Sequence, residues 1–564
     1  MRSIFIFTFI CLICYILPGS AVPLNERDDE VTPSLVQTDF FKAFQPLPET
    51  PTNVVRSYTF ELKKVPLAID GVSRLVWAVN GQYPGPMIRA NKGDTFNITV
   101  INKFGDPATI HWHGLDQKGS NWYDGVPGIT QCPIPNGVTF SYVFNLTQSG
   151  TYWYHSHFIA QYVDGLKGPI VIYDQDDPYK KDYDYEYVLE VSDWYHKPTG
   201  DFLPEFRSPT YFAADPFPDS GEITGVGQWN CTIPTCKPTK FATYKVTKGK
   251  KYRFRIINTS AMAHFTISID NHPLKIIEVE GTIVEPVTVE VLSVNIAQRY
   301  SVIVDANQPI ENYWIRATLS NCSLPGQFPL TINYNETKIF QNMNITGILK
   351  YEGAPDTLPT SQAYPANESD CTDQDPTTLK PKSLSPSVPT GNATRIPLLI
   401  EIVGVPQLEA TINNSSIVLD FSYPSNKKVI DGAGFITSDN AYAYDNPGGA
   451  IEILLMNTEG RTHPFHLHGH SFWVVAEGIF NQSLDTLKYN FDNPIYRDTV
   501  TVKPFGLTAI RYYADNPGVW LIHCHIEWHV EMGMVAQLIE NPSVFNKSSI
   551  PEAVLGLCEA FDNG

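Results

Sequence analysis

The feature that most constrains this chain is a short run near its C-terminus, His523-Cys524-His525-Ile526-Glu527-Trp528-His529-Val530-Glu531-Met532-Gly533-Met534. In an extended strand successive side chains alternate between faces, so His523 and His525 point one way and Cys524 points the other. A thiolate, two histidines and a weak axial methionine are the ligands of a blue-copper electron-transfer centre. Cys524, His529 and Met534 supply three of them, and one more histidine must come from elsewhere. The run therefore predicts metal sites on both faces of one strand, with a buried cysteine among unrelated histidines as the alternative.

The histidines are clustered rather than scattered. Of the 14 histidines, only His196, His264 and His272 lie outside four clusters. Each cluster contains a His-x-His pair whose members share one face of a strand. One pair alone is more often structural, but four pairs predict metal sites where the first and last parts of the chain meet. Besides the run above, the clusters are His111-Trp112-His113, His155-Ser156-His157 and His463-Pro464-Phe465-His466-Leu467-His468-Gly469-His470.

Length and composition favour a multidomain β protein. A chain of 564 residues is too long for one hydrophobic core, and three or four domains are expected. Abundant glycine (37), proline (44), tyrosine (29) and phenylalanine (30) suit many short strands joined by turns. The net charge of −19 argues against nucleic acid or an anionic membrane surface as a partner.

Alternation of apolar and polar residues predicts strands at residues 58–62, 75–79, 96–100, 251–257 and 300–304. The fold class is therefore all-β. The predicted segments are a signal peptide (1–21), an N-terminal arm (22–55), a first domain (56–175), a second domain (185–351), a Pro/Ser/Thr-rich linker (352–395), a third domain (396–545) and a C-terminal tail (546–564).

Residues 1–21 have the charged start, apolar middle and small-residue end of a cleaved secretory signal, with an uncleaved anchor as the alternative. Because no later run is long and apolar enough to cross a bilayer, we expect a secreted, extracellular protein, with association to a cell wall left open.

Cysteines and glycosylation sequons agree with secretion. Two cysteines lie in the predicted signal and Cys524 is a predicted metal ligand, so six remain and allow up to three disulfides in fifteen possible pairings. These six are Cys132, Cys231, Cys236, Cys322, Cys371 and Cys558. Several N-x-S/T sequons predict glycans, among them Asn97, Asn145, Asn335, Asn344, Asn367, Asn392 and Asn481.

The four histidine motifs and Asn80-Gly81-Gln82-Tyr83-Pro84-Gly85-Pro86 resemble those of a multicopper oxidase of the laccase, ascorbate oxidase and ferroxidase superfamily. The resemblance covers essentially the whole mature chain. It implies three consecutive cupredoxin-like Greek-key β-sandwich domains and four copper ions, one of type 1, one of type 2 and a type 3 pair.

The resemblance also implies which residue binds which copper, and His470 matches a non-ligand position. The type 1 ligands would be His463, Cys524, His529 and axial Met534, and the type 2 ligands His111 and His466. One type 3 ion would take His113, His155 and His525, and the other His157, His468 and His523.

The reaction implied is one-electron oxidation of a small reductant coupled to reduction of O₂ to two waters, with electrons passing through Cys524 to its neighbours. Asp124 and Glu527 match acidic positions that the family uses to deliver protons. The plainer interpretations are a turn-capping Asp124 and a solvated Glu527 at the end of a strand.

The reductant is less constrained. Asp193, in Val191-Ser192-Asp193-Trp194-Tyr195-His196, resembles the laccase position at which an aspartate accepts a proton from a bound phenol, where yeast-type ferroxidases carry glutamate. A structural turn role is equally open. Met534 stands where many fungal laccases have Leu or Phe and ascorbate oxidases have Met, and a thioether there should lower the type 1 potential.

A laccase-type phenol or diphenol oxidase is therefore favoured, with ferroxidase and ascorbate oxidase activities as alternatives. A non-catalytic cupredoxin or a copper nitrite reductase is disfavoured, because neither needs all four histidine motifs. We expect a monomer whose partners are O₂ and a small phenolic or metal-ion reductant.

Overall fold

The computed structural model describes residues 38–47, 53–208, 215–231, 233–320, 344–365, 372–384, 386–404, 409–545 and 550–563. The predicted signal peptide, much of the predicted arm, Cys322 and Cys371 lie outside these residues. Strands dominate the described residues, which confirms the all-β prediction. The predicted domain limits stay predictions.

The first domain contains eight strands, and its two four-stranded sheets have the orders β2-β1-β4-β6 and β3-β8-β7-β5. The strands are β1 (Val55–Leu67), β2 (Arg74–Val79), β3 (Ile88–Asn91), β4 (Thr95–Asn102), β5 (His111–His113), β6 (Thr139–Asn145), β7 (Gly150–His155) and β8 (Lys167–Tyr173). Phe60 and Ile98 of one sheet pack with Trp112 and Tyr154 of the other to form the core.

The second domain has a seven-stranded and a five-stranded sheet. Its strands are β9 (Tyr185–Trp194), β10 (Ser220–Ile223), β11 (Val226–Gly227), β12 (Ala242–Val246), β13 (Lys251–Asn258), β14 (Phe265–Ile269), β15 (Leu274–Val279), β16 (Thr282–Val289), β17 (Leu292–Val294), β18 (Arg299–Asp305), β19 (Asn312–Leu319) and β20 (Ile345–Tyr351). The sheet orders are β11-β10-β9-β13-β18-β15-β16 and β12-β20-β19-β14-β17.

The third domain has a six-stranded and a five-stranded sheet. Its strands are β21 (Ala393–Val403), β22 (Glu409–Ile412), β23 (Ala441–Tyr444), β24 (Ala450–Asn457), β25 (His463–Leu467), β26 (Phe472–Ile479), β27 (Tyr496–Arg497), β28 (Thr499–Val502), β29 (Gly506–Tyr513), β30 (Gly518–Cys524) and β31 (Val535–Glu540). The sheet orders are β22-β21-β24-β29-β26-β27 and β23-β31-β30-β25-β28.

Within the residues that the structure describes, four α-helices lie between or after these strands: α1 (Thr199–Phe206), α2 (Ser425–Asp431), α3 (Glu527–Glu531) and α4 (Glu552–Asp562). Short 3₁₀ turns occupy Thr38–Phe41, Asn121–Tyr123, Ile159–Tyr162, Thr437–Asp439 and Leu484–Thr486. No helix among the described residues is long and apolar enough to cross a bilayer.

The same topology occurs three times. In one sheet of each domain the first strand pairs in parallel with a later one: β1 with β4, β9 with β13, and β21 with β24. In the other sheet the parallel pairs are β3 with β8, β12 with β20, and β23 with β31. Three consecutive copies of one β-sandwich are therefore present, as predicted.

Equivalent strands carry the histidines in the first and third domains. The pairing of β5 with β7 sets His111 opposite His155, and the pairing of β25 with β30 sets His466 opposite His523. In the second domain the strands at the same places in the sheet are β14 and β19, where Phe265 lies opposite Leu319. The second domain thus repeats the fold without the ligands.

Among the described cysteines, disulfides join Cys132 with Cys558 and Cys231 with Cys236. The first ties α4 to the first domain, where Val554 and Leu557 join the hydrophobic core. The predicted tail therefore contains a helix. Cys524 is the free cysteine of the described residues.

Candidate metal centres

A cysteine and two histidines form one compact group in the third domain. The Cys524 Sγ atom lies 3.6 Å from His463 Nδ1 and 3.4 Å from His529 Nδ1, and all three side chains are buried. His463 begins β25, Cys524 ends β30 and His529 lies on α3, so the sheet and the following helix bring the group together.

Met534 lies beside this group. It is buried, its N–H donates to the carbonyl of His529 over 2.9 Å, and its own carbonyl accepts from the N–H of Cys524 over 3.3 Å. These backbone bonds close a loop from Cys524 to Met534. The axial role of its sulfur stays a prediction.

Eight other histidines gather between the first and third domains, as the motif arrangement predicts. Within each of three groups the ligand nitrogens lie within 4.8 Å of one another: His113, His155 and His525; His157, His468 and His523; and His111, His113 and His466. His470 belongs to none of them. Its Nε2 atom instead lies 3.2 Å from Glu540.

Most of these rings use Nδ1 to donate a hydrogen bond. His155, His466 and His523 donate from Nδ1 to backbone carbonyls at 2.8–2.9 Å. His468 donates from Nδ1 to the Asp124 carboxylate at 2.8 Å. The Nε2 atoms of these rings are therefore left with lone pairs.

The remaining nitrogen atoms fit a metal. Two Nε2 atoms, those of His468 and His523, lie 3.1 Å apart although both rings carry their proton on Nδ1. Two lone pairs at this distance repel unless a cation binds them. Several more buried ring nitrogens of these groups lack a hydrogen-bond partner among the described residues: His111 Nε2, His113 Nδ1, His155 Nε2, His466 Nε2 and both nitrogens of His525.

Electrostatics also suit metal binding. Burial, together with the neighbouring imidazoles, lowers the pKa of five of these rings. The pKa of His157 falls to about 3. The pKa values of the other four lie well below the ordinary histidine value; these rings are His155, His468, His523 and His525. Neutral imidazole is the form that binds metals. Burial raises the pKa of the Cys524 thiol, so a cation is needed to make it a thiolate there.

Asp124 touches two of the histidine rings. Its backbone carbonyl accepts from His111 Nδ1 at 2.8 Å, and its Oδ2 atom accepts from His468 Nδ1 at 2.8 Å. Asp124 also caps the 3₁₀ turn Asn121–Tyr123. Asp124 therefore caps the turn and also lies next to the predicted ligand histidines.

Asp498, which the sequence did not suggest, holds two more rings. Its backbone carbonyl accepts from His466 Nδ1 at 2.9 Å, and its Oδ1 atom lies 3.2 Å from His113 Nε2. Burial opposes ionisation of Asp498, but the guanidinium of Arg299 and the hydrogen bonds outweigh it and hold the pKa well below the usual range.

Glu527 lines a cavity of ≈ 410 Å³ together with four of the ligand histidines, His155, His157, His523 and His525. Burial raises the pKa of Glu527 to about 8, with Arg207 opposing the shift. At neutral pH this carboxyl is therefore mostly protonated at the wall of the cavity. Arg207 also forms an ion pair with Glu531 at the same cavity.

Asp193 lies away from these groups. It is buried, and its carboxylate accepts hydrogen bonds from the backbone N–H groups of Ala261, Met262 and Ala263 at 2.8–3.0 Å. The carbonyl of Ala261 in turn accepts from the N–H of Glu527. This geometry suits the structural role that the sequence left open, and the proton-accepting role stays a prediction.

Asp215 is a second acid that the sequence did not suggest. Its Oδ2 atom lies 3.3 Å from His529 Nε2 and 2.9 Å from a guanidinium nitrogen of Arg461. Burial opposes ionisation, but His529 and Arg461 lower the pKa of Asp215 to about 2. An anionic carboxylate therefore faces the outer nitrogen of His529.

Three β-sandwiches, a Cys–His₂ group in the third and an eight-histidine group between the first and third define a copper-binding oxidase. Models of the multicopper oxidase family match residues 61–177, 185–354 and 412–544. A laccase of Phlebia radiata is 36% identical over 533 residues, covering 89% of this chain and 93% of that protein. A laccase of Pycnoporus cinnabarinus is 36% identical over 520 residues, covering 87% and 91%. The chain belongs to the multicopper oxidase family.

Solved structures agree. The laccase of Botrytis aclada superposes with a TM-score of 0.82 at 34% identity, covering 91% of this chain and 93% of that one. Fet3p, a multicopper oxidase that functions in iron import, superposes with a TM-score of 0.78 at 28% identity, covering 90% and 95%. The cupredoxin-like fold, the copper dependence and the use of O₂ by an oxidoreductase follow from this membership.

Proposed function

We propose that the protein is a laccase-type oxidase that takes single electrons from a phenol or diphenol and reduces O₂ to water. The observation that carries the proposal is the position of Cys524. Its thiol lies within 3.6 Å of His463 and His529, while its chain neighbours His523 and His525 belong to two different histidine groups. Backbone bonds thus connect the Cys524 sulfur directly to both groups.

The proposed cofactors are four copper ions held by twelve residues. His463, Cys524, His529 and Met534 would hold the type 1 ion; His111 and His466 would hold the type 2 ion; His113, His155 and His525 would hold one type 3 ion; and His157, His468 and His523 would hold the other. When bound, these ions collect four electrons and transfer them to O₂.

Protons must reach the same place, and two acids are positioned to supply them. Glu527 lies at the cavity wall beside four histidines, with a carboxyl that is protonated at neutral pH. Asp124 contacts His468 through Oδ2. We assign proton delivery to both residues.

The donor is proposed to approach the His529 side. A pocket of ≈ 300 Å³ is lined by aromatic residues, among them Tyr195, Phe202 and Phe206, and by Pro216, which follows the His529 contact Asp215. All three rings pack on Trp528, whose indole N–H donates to the Tyr195 hydroxyl at 3.2 Å. An aromatic wall next to a type 1 ligand favours an aromatic donor. The similarity to Fet3p keeps Fe²⁺ as the second candidate.

The first test is Cys524→Ser. Copper-loaded wild type should be blue, whereas the variant should be colourless and inactive while its circular dichroism is unchanged. A colourless wild type with a full copper complement would contradict the proposal.

The donor is tested by oxygen-consumption kinetics with a diphenol, Fe²⁺ and ascorbate, run side by side. Asp215→Asn should lower kcat/KM for the preferred donor most, because Asp215 contacts His529. Asp193→Ala should lower kcat/KM for all donors alike if Asp193 only holds the turn. It should lower kcat/KM for the phenol selectively if Asp193 accepts a proton. Equal rates for all donors in wild type would rule out a dedicated phenol oxidase.

The axial assignment is tested by Met534→Leu. Removing the thioether should raise the type 1 potential, because a coordinating sulfur stabilises the oxidised ion. A redox titration that shows no change, or a fall, would refute the assignment.

Secretion, glycans at the sequons and a monomeric state complete the proposal. They are tested by the protein's presence in culture medium, a mass loss after deglycosylation and the molar mass in solution.

A further inference from the structure

All three domains meet at a buried ion pair that belongs to none of the proposed ligand groups. Arg299 of β18 donates from Nη1 to Asp498 Oδ1 at 2.7 Å and from Nη2 to Asp498 Oδ2 at 2.5 Å. Both residues are at most 1% exposed. A bidentate pair fixes the plane of the carboxylate as well as its charge.

Asp498 determines how two histidines present themselves, His113 through its carboxylate and His466 through its backbone carbonyl. An ionised carboxylate only accepts hydrogen bonds, so the His113 proton must lie on Nε2, which faces Asp498 Oδ1 at 3.2 Å. His113 Nδ1 is then left free, whereas His466, which donates from Nδ1 to the Asp498 carbonyl, keeps Nε2 free. His113 thus faces its group through Nδ1, whereas His466 faces its group through Nε2.

Arg299 is itself held from the first domain. Its Nε atom donates to the carbonyl of Thr151 on β7 at 3.0 Å, and its guanidinium lies 5.5 Å from the ring of Tyr152. Gly114, directly after His113, has φ +88°, and a Cβ atom there would lie 2.5 Å from Arg299 Nη2 and 2.8 Å from Asp498 Oδ2. The turn after β5 is therefore shaped to admit the ion pair.

We propose that Arg299 is a positioning residue by which the second domain, which supplies no ligand, sets the affinity of the type 2 site. It acts through Asp498, whose backbone carbonyl orients the proposed type 2 ligand His466 and whose carboxylate orients the neighbouring proposed type 3 ligand His113. This inference rests on the proposed function for the identity of the metal. Outer residues that orient metal ligands typically change metal affinity about 10- to 100-fold when replaced.

The test compares Arg299→Met with Arg316→Met. Arg316 forms the same kind of bidentate pair in the same domain, at 2.8 Å to both oxygens of Asp270, but it contacts no ligand histidine among the described residues. Copper-loaded proteins are titrated with a copper chelator while the type 2 signal is followed by electron paramagnetic resonance and the type 1 site by its blue absorbance.

In Arg299→Met the type 2 signal should disappear at about 10- to 100-fold lower chelator concentration, with the blue band retained. Arg316→Met should behave like wild type. The inference is overturned if Arg299→Met keeps the wild-type type 2 affinity, or if a folded Arg299→Met loses both signals together, since the effect would then not be specific to the type 2 site.

Arg299→Lys serves if Arg299→Met does not fold. Lysine keeps the positive charge but cannot form the bidentate hydrogen bonds to Asp498. The affinity of the type 2 site for copper should therefore still fall, by less than in Arg299→Met. An unchanged affinity overturns the inference. A wild type without a blue band would instead refute the proposed function.

Discussion

Asp124 of the first domain and Asp498 of the third hold the histidines in the same way, across the same interface. Each accepts from one Nδ1 atom through its backbone carbonyl, that of His111 for Asp124 and that of His466 for Asp498. Each carboxylate then reaches a histidine of the other domain, His468 for Asp124 and His113 for Asp498. The two domains thus exchange equivalent contacts.

The two carboxylates differ in what neutralises them. Asp498 forms a bidentate pair with Arg299 and accepts from the Thr499 hydroxyl at 2.8 Å. Asp124 contacts no arginine within the described residues, and its Oδ1 atom accepts no hydrogen bond there. Both aspartates therefore orient histidine rings, but Asp498 is an anion fixed by an arginine. Asp124 keeps an oxygen atom free to accept a further hydrogen bond, and this suits a residue that carries protons.

Replacing each aspartate by alanine should give the largest contrast. Asp498→Ala leaves the Arg299 guanidinium buried without its partner, which should lower the free energy of unfolding by about 3–5 kcal/mol. Asp124→Ala removes hydrogen bonds without stranding a buried cation, a loss of about 1–3 kcal/mol. Denaturant unfolding of the copper-free proteins measures both.

Equal losses would show that Arg299 does not distinguish the two sites. The double replacement Asp498→Ala with Arg299→Met provides the control, because it removes the stranded cation and should recover part of the loss.

The next contrast is in turnover. Asp124→Asn can still accept the hydrogen bond from His468 but cannot carry a proton, so kcat should fall about 100-fold, or about 2.7 kcal/mol in barrier, with type 2 resonance unchanged. Asp498→Asn should instead alter the type 2 resonance. The rate of reoxidation by O₂ measures the loss of turnover, and electron paramagnetic resonance measures the change at the type 2 site. If both variants behave identically, Asp124 and Asp498 do not have different roles.

The fold class and the histidine groups could be predicted from sequence because their signals are local. His-x-His spacing on a strand needs no knowledge of tertiary structure, and the Cys524 run places thiol and imidazoles on opposite faces by the strand period alone. Alternation likewise predicted segments that lie within β1, β2, β4, β13 and β18.

Asp498, Arg299 and Asp215 could not be predicted, because their importance depends on contacts between domains. Arg299 and Asp498 are 199 positions apart, and Asp215 and His529 are 314 apart. A lone Asp or Arg has no spacing pattern, and which ring it meets is set only once the sandwiches pack. The threefold repeat of topology could be predicted only through the family resemblance, since strand order is not visible in any one strand.

The smallest expected effect is a pH dependence that isolates the charge of Asp498. Its folded-state pKa lies well below the unfolded value of about 3.9, so the ionised pair contributes stability that is present above that value and lost as the pH falls through the folded-state pKa. Asp498→Asn lacks this contribution. The difference in free energy of unfolding between wild type and variant, measured on copper-free protein, should be constant above about pH 5 and shrink below about pH 3.9. If the difference in free energy of unfolding stays constant below about pH 3.9, the charge of Asp498 beside Arg299 does not stabilise the fold. The arginine would then not distinguish Asp498 from Asp124.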